Sequence, residues 1–444
     1  MGTQETASPD VDKTKGSWLG ALWRGIRVPL SSVILAMLVG AILLFVSGAN
    51  PVTAYVALFK GSFGDLTAIG RTLEKATPLL FSGLAISFAF KAGLFNIGAQ
   101  GQLLLGAIVA AGIGFGVDGL PVYLHIPLAI LGGAVAGGLF AAIPGFLKTT
   151  TGAHEVITTI MLNYIAINIT DFLADGIWKD TTPGNIIART PKILPTAEIP
   201  RVAGLPLGFV LALLGAVIVW WVLNKTTLGF EVRTAGLNQR AAKYSGIKVA
   251  YTIVLTMVIS GMLAGIGGAI ETQGVVGRFQ PGFNVGLGFD GITVALLGKT
   301  SPFGNILAAL LIGAMKAGSS RMQFDAGVAA EITSVIQALM LFFIAADMIV
   351  RWIIRAREVE GEEISLTTGW GGEEGDQRDG KYTNAIKVCC HDTEECDDDY
   401  RWLLCTCRDP VLLPPKWNYH RSSTGGSTEA IYPSCLGSFM RPDW

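Results

Sequence analysis

Ten apolar stretches follow one another through the first four-fifths of this chain, and most are long enough to cross a lipid bilayer. They fall at about 28–48, 76–92, 97–117, 122–146, 155–175, 204–224, 250–271, 288–298, 303–319 and 330–353. A spanning helix needs about 17 to 25 mainly apolar residues. Inside hydrocarbon every backbone N–H and C=O must be bonded within the segment, so such runs become helices. The eighth run is too short to span comfortably and reads as a broken or tilted helix. The fold expected is an all-α, polytopic membrane bundle of nine or ten helices. Composition agrees: 15% of the 444 residues are charged, where a soluble domain carries about a quarter. A net charge of −1 gives no electrostatic basis for binding nucleic acid.

Three regions follow from these runs. Residues 1–27 read as a polar cytoplasmic leader, too long and acidic for the start of a signal peptide. Residues 28–357 form the membrane domain, interrupted by a polar segment at 225–249. Residues 358–444 form a polar tail holding all six cysteines. The tail lacks helical or strand period, and its Cys spacings match no zinc frame, so it reads as unstructured. Loop lysines and arginines set orientation. Lys13, Lys15, Arg24 and Arg27 precede the first span, Arg233, Arg240 and Lys243 lie in the interrupting segment, and Arg351, Arg355 and Arg357 follow the last. Ten spans with the N-terminus inside place all three groups, and both termini, in the cytoplasm.

Catalytic motifs do not assemble. "GITVALLGKTS" ends in Gly298-Lys299-Thr300, but the glycine that a phosphate-binding loop requires five positions before Gly298 is Thr293. His125 and His154 stand alone and read as packing or loop residues. The chain is expected to be no enzyme and to hold no cofactor or metal.

Two stretches carry more information. In "KAGLFNIGAQGQLLLG" (91–106) the amides Asn96, Gln100 and Gln102 interrupt an apolar region. An amide in hydrocarbon must be paired, so these either tie helices together or line a wet path. Spacing puts Asn96 and Gln100 on one helical face, with Gln102 on another. Asn163 is a further amide deep in a run. Paired small residues, Gly133/Gly137 and Gly261/Gly265, favour close helix approach. The second stretch is "VRTAGLNQRAAKYSGI" (232–247), too polar to span. Gln239 to Lys243 are helix formers, Asn238 can cap them and Gly246 can end them. A short basic helix between two spans offers a grip to a peripheral partner.

"FNIGAQGQLLLGA", "HEVITTIMLNYIA" (154–166) and "GFDGITVALLGKTSPFGNILAALLIGAMKAGSSRMQ" (288–323) resemble signature blocks of nucleoside-type ABC transporter permeases. That group is related to the sugar and branched-chain amino-acid permeases. The likeness covers about 20–365, with Gln100 where the family usually has Glu and His154 where it often has Asn. It implies a transport subunit that works with a second homologous permease, two ATPases holding ATP and Mg, and an extracytoplasmic substrate-binding lipoprotein in a bacterial cell membrane. It also implies that Arg233, Gly236, Asn238, Arg240, Ala241, Ala242 and Gly246 form the ATPase-coupling segment. Asn96, Gln100, Gln102 and Asn163 would belong to the substrate pathway. A sugar or branched-chain amino-acid permease, or an ion-coupled secondary transporter, are the competing readings.

Overall fold

The computed structural model describes residues 18–346, apart from 184, 203, 283–285 and 330. The first part of the leader, the basic residues after 350 and the whole tail lie outside the described residues. Thirteen α-helices run in order among the described residues: α1 Trp18–Val46, α2 Pro51–Phe63, α3 Leu66–Lys91, α4 Ala99–Gly116, α5 Val122–Thr151, α6 Glu155–Phe172, α7 Leu207–Lys225, α8 Thr227–Leu237, α9 Gln239–Tyr244, α10 Val249–Glu271, α11 Leu287–Leu297, α12 Pro302–Ala326 and α13 Glu331–Ala345. Eight of the described helices are long and apolar enough to cross a membrane, and α11 and α13 are shorter apolar helices. This is the all-α polytopic membrane bundle that the apolar runs imply.

Charge and caps explain where helix ends depart from the apolar runs. The first helix starts at Trp18 rather than near 28, so part of the expected leader is helical. Residues 51–63, given no element by the hydropathy pattern, form α2. There Asn50 caps by accepting from Val52 N at 2.9 Å, and Pro51 supplies the fixed φ suited to a first turn. α3 starts ten residues before the apolar run because Asp65 caps it, its Oδ1 accepting from Ala68 N at 2.6 Å. Arg71, Glu74 and Lys75 masked that first part by their polarity. Arg201, from the loop before α7, satisfies Glu74 at 2.9 Å. α6 and α10 each end in a π-helical turn, at Leu173–Ile177 and Thr272–Val276, which periodicity does not show.

α3 is the axis of the bundle: every residue from Ala76 to Phe90 is buried. A helix apolar all round belongs inside a bundle, and α10, α11 and α12 pack along it. The two small-residue pairs read from the sequence meet each other. Gly133 and Gly137 of α5 pack on Gly261 and Gly265 of α10 so closely that a Cβ at Gly265 would overlap the carbonyl oxygen of Gly133. α4 joins the same seam, since a Cβ at Gly106 would overlap the carbonyl of Gly265. With lipid as the solvent, hydrophobicity adds little between helices, and backbone proximity through glycine is what packs them.

The loop from 178 to 206 folds back over one end of the bundle. Ile193 N donates to Gly277 O at 2.9 Å, Leu194 N to Gly114 O at 2.9 Å and Ile199 N to Gln273 O at 3.0 Å. A two-residue antiparallel ladder, Arg201–Val202 with Leu205–Pro206, leads into α7. His125 is fully buried beneath this loop, its ring nitrogens 2.9 Å from Thr196 Oγ1 and 3.1 Å from Ile113 O. It is a packing residue, as its isolation in the sequence implies.

Candidate functional site

The chain between α3 and α4 carries a set of interlocking buried hydrogen bonds. Helix α3 stops where Gly93 takes a left-handed φ of +69°, and α4 does not begin until Ala99. Asn96 therefore lies in a turn and shares no helical face with Gln100, contrary to the i, i+4 expectation. It pairs with Gln102 instead. Asn96 Nδ2 donates to Gln102 Oε1 at 2.9 Å, and Gln102 Nε2 donates back to Asn96 Oδ1 at 3.1 Å. Asn96 Nδ2 also donates to Ser260 Oγ on α10 at 2.8 Å, and its Oδ1 accepts from Gly98 N at 3.0 Å. A side-chain amide offers two donors and two acceptor sites, so Asn96 is saturated.

The other amides extend this network. Asn163 of α6 accepts from Gly101 N at 2.8 Å and donates to Ile97 O at 3.0 Å. Gln100 Oε1 accepts from Gly288 N at 2.7 Å, holding the first turn of α11. Ser260, which sequence reasoning missed, passes the network to α3 by donating to Ala85 O at 2.7 Å. A serine in an apolar run gives no local signal of such a role. Asn96, Gln100 and Gln102 are each 1% exposed and Asn163 3%. The structure thus joins all four sequence-selected amides into one buried joint between α3, α4, α6, α10 and α11. A small cavity lined by Glu74, Thr77, Ile199, Gly208 and Glu271 lies elsewhere, beside the covering loop.

Breaking this joint carries a definite cost. Asn96→Leu strands Gln102, and Gln102→Leu strands Asn96, each leaving buried polar atoms unpaired at about 1–3 kcal/mol. Both variants are expected to lower the thermal unfolding midpoint of the detergent-solubilised subunit by similar amounts. The double variant should cost less than the sum of the two, because both singles remove the same bonds. Strict additivity would contradict the pairing.

The polar segment between α7 and α10 is built as its sequence suggests. Asn238 Oδ1 accepts from Arg240 N at 2.9 Å and from Ala241 N at 3.0 Å, so it is the N-cap of α9. Gly246 closes the far end with φ +82°. Arg233, Asn238, Arg240, Ala241 and Gly246 are exposed, whereas Ala242 is fully buried. Gly236 packs against the α3–α4 turn, where a Cβ would overlap the carbonyl of Lys91. Gly236 and Ala242 thus position the helix, and the others form its accessible surface. Two apolar residues on that surface, Leu237 (72% exposed) and Tyr244 (92%), were not among the residues selected. Nothing in a single sequence marks an apolar residue as outward-facing. Gly298-Lys299-Thr300, the false phosphate-loop ending, is the turn between α11 and α12.

Comparison with known proteins agrees with this architecture. Residues 68–345 match the family described as branched-chain amino acid transport system / permease component. The chain is similar to the guanosine ABC transporter permease protein NupP of Bacillus subtilis, 41% identical over 343 residues, 76% of this chain and 97% of that protein. It is similar to the nucleoside ABC transporter permease protein NupB of Lactococcus lactis, at 36% identity over 78% of this chain and 98% of that one. The glucose ABC transporter permease protein TsgB13 of Haloferax volcanii is 34% identical over 72% of this chain and 87% of its own length. The family match spans α3 to α13, the helices that build both the buried joint and the capped surface helix, and on those grounds this chain belongs to the branched-chain amino acid transport system permease family, as a multi-pass membrane permease of the ABC transporter type.

Proposed function

We propose that this chain is one membrane-spanning subunit of an ATP-driven nucleoside importer in a bacterial cell membrane. The observation that carries the reading is likeness over nearly the whole length of permeases named for guanosine and nucleosides. Exposed α9 adds a physical reason: a rigid, basic, capped helix between two spans is a lever that a peripheral ATPase can pull. In this reading both termini and α9 are cytoplasmic, and ATP and Mg are held by two partner ATPases. A second homologous permease subunit completes the path, and an extracytoplasmic lipoprotein delivers the solute. Asn96, Gln100, Gln102 and Asn163 belong to the translocation region as its joint, the place where five helices must keep or exchange partners as access alternates. The glucose permease relative supports simple sugars as the second substrate class.

Uptake of labelled guanosine in cells tests this. Expression of the permeases, ATPases and lipoprotein together should give saturable uptake that uridine or adenosine competes for and glucose or leucine does not. Removing the ATPase should abolish it. Uptake that survives loss of the ATPase and follows the membrane potential would instead establish a secondary transporter. Truncation after Thr368 should leave insertion and uptake unchanged, because the tail shows neither period nor metal frame. Loss of either on truncation would give the tail a role.

A further inference from the structure

Outside the amide joint, a carboxylate and an ammonium meet where α11, α12 and α13 come together. Asp290, in the first turn of α11, accepts from Lys316 Nζ of α12 at 2.7 Å through Oδ2. Its other oxygen accepts from Gln337 Nε2 of α13. Its two partners sit deep along their helices. Lys316 is more than two turns from either end of α12, and Gln337 lies mid-way along α13. Gly291, next to Asp290, packs on Ser82 of the wholly buried part of α3, where a built Cβ would stand 2.6 Å from Ser82 Cβ.

Neither charged side chain is sealed. Lys316 is 28% exposed and Asp290 18%. An ionised group at bilayer depth is costly against hydrocarbon, and such groups face the bundle interior or a water-filled cavity. A partly open ion pair at this depth therefore marks a surface that lipid does not cover. The chemistry is also suited to a polar, uncharged solute. The ammonium has three donors, of which Asp290 engages one, and the carboxylate can accept from hydroxyl or amine groups beyond its two present partners.

We propose that Asp290 and Lys316 line the aqueous translocation path, with the buried Gln337 holding the carboxylate from behind, and that the ion pair offers hydrogen bonds to a passing solute of the nucleoside class. This rests on the transport reading above. The amide joint, by contrast, holds the path's walls without touching the solute in this conformation.

Cysteine accessibility in the assembled transporter tests this. All six native cysteines lie after residue 388, so replacing them with serine leaves a membrane domain without thiols. Single Lys316→Cys and Asp290→Cys variants would be treated in vesicles with a charged, membrane-impermeant methanethiosulfonate. Asp290→Cys reports from the other side of the pair even where Lys316→Cys lowers expression. Leu307→Cys, 66% exposed on the same α12, is the lipid-side control, and Tyr244→Cys is the exposed control. Both path positions should react in at least one nucleotide state, saturating guanosine should suppress that labelling, and Leu307→Cys should stay unreactive. Vesicles that take up guanosine while both path positions stay as unreactive as Leu307→Cys would overturn the proposal. Labelling that guanosine never affects would overturn the solute contact. Absence of uptake in the parent complex would instead sink the transport reading itself.

Discussion

Ala241→Trp should cut ATP-driven uptake by about ten-fold or more, the equivalent of about 1.4 kcal/mol lost from a coupling contact, while the subunit should still insert and remain monodisperse. The reason lies in where Ala241 sits. It is exposed on α9, and only its backbone is committed: the N–H donates to the Asn238 cap and the carbonyl accepts from Ser245 N and Oγ. An indole there would obstruct the proposed docking partner without entering the core. Arg240→Glu, which reverses a charge on the same surface, should act in the same direction. Tyr244→Ala tests the apolar part of the contact, since interface energy concentrates on a few residues and tyrosine is enriched among them. Uptake and ATP hydrolysis would be measured on the same membranes, and normal uptake in all three variants would place the ATPase grip elsewhere. Gly236 is unsuitable for this test because its variants would disturb the α3–α4 turn.

Gly265→Leu has the opposite character: it should remove the folded subunit rather than its coupling. The residue stands at the α4–α5–α10 seam, with the backbones of Gly133 and Gly137 on one side and its own carbonyl against Gly106 on the other. Side chains can change rotamer, but backbone at this distance can yield only by parting the helices. Overpacking a tight core costs about 1–3 kcal/mol and sometimes more, and at a three-helix seam the upper end is expected. Fluorescence-detected size exclusion should show loss of the monodisperse peak. Gly116→Leu is the control, since a Cβ there meets nothing within 4 Å. Equal behaviour of the two variants would mean the seam is not a determinant of folding.

What the sequence revealed follows from how local each interaction is. The spans were legible because hydropathy over one helix length is a property of consecutive residues. The cap of α9 was legible for the same reason, as Asn238 and the amides it binds lie within three positions. The small-residue pairs could be read, but not that they meet each other and Gly106. α2 and the start of α3 were hidden because Lys60, Arg71, Glu74 and Lys75 dilute the apolar signal, and Glu74 finds its partner only at Arg201. Periodicity alone puts 96–102 on one helix, whereas Gly93 and the turn after it interrupt the helix before Ala99 and move Asn96 off that face. Lys316 carried no warning, because its partner Asp290 sits on another helix and only folding brings them to 2.7 Å. Long-range pairing is what a single sequence conceals, and here it decides which polar residues are sealed and which are open.

Nucleoside movement driven by ATP turnover on partner ATPases, as proposed, is measurable as uptake into proteoliposomes that hold the complete complex, with the lipoprotein and guanosine added outside and ATP supplied to the ATPase side. Guanosine should accumulate only with ATP present, unaffected by an imposed membrane potential, and Ala241→Trp should lower accumulation while binding of guanosine to the lipoprotein stays normal. Accumulation without ATP that rises and falls with the potential would show instead that the subunit is not driven by an ATPase.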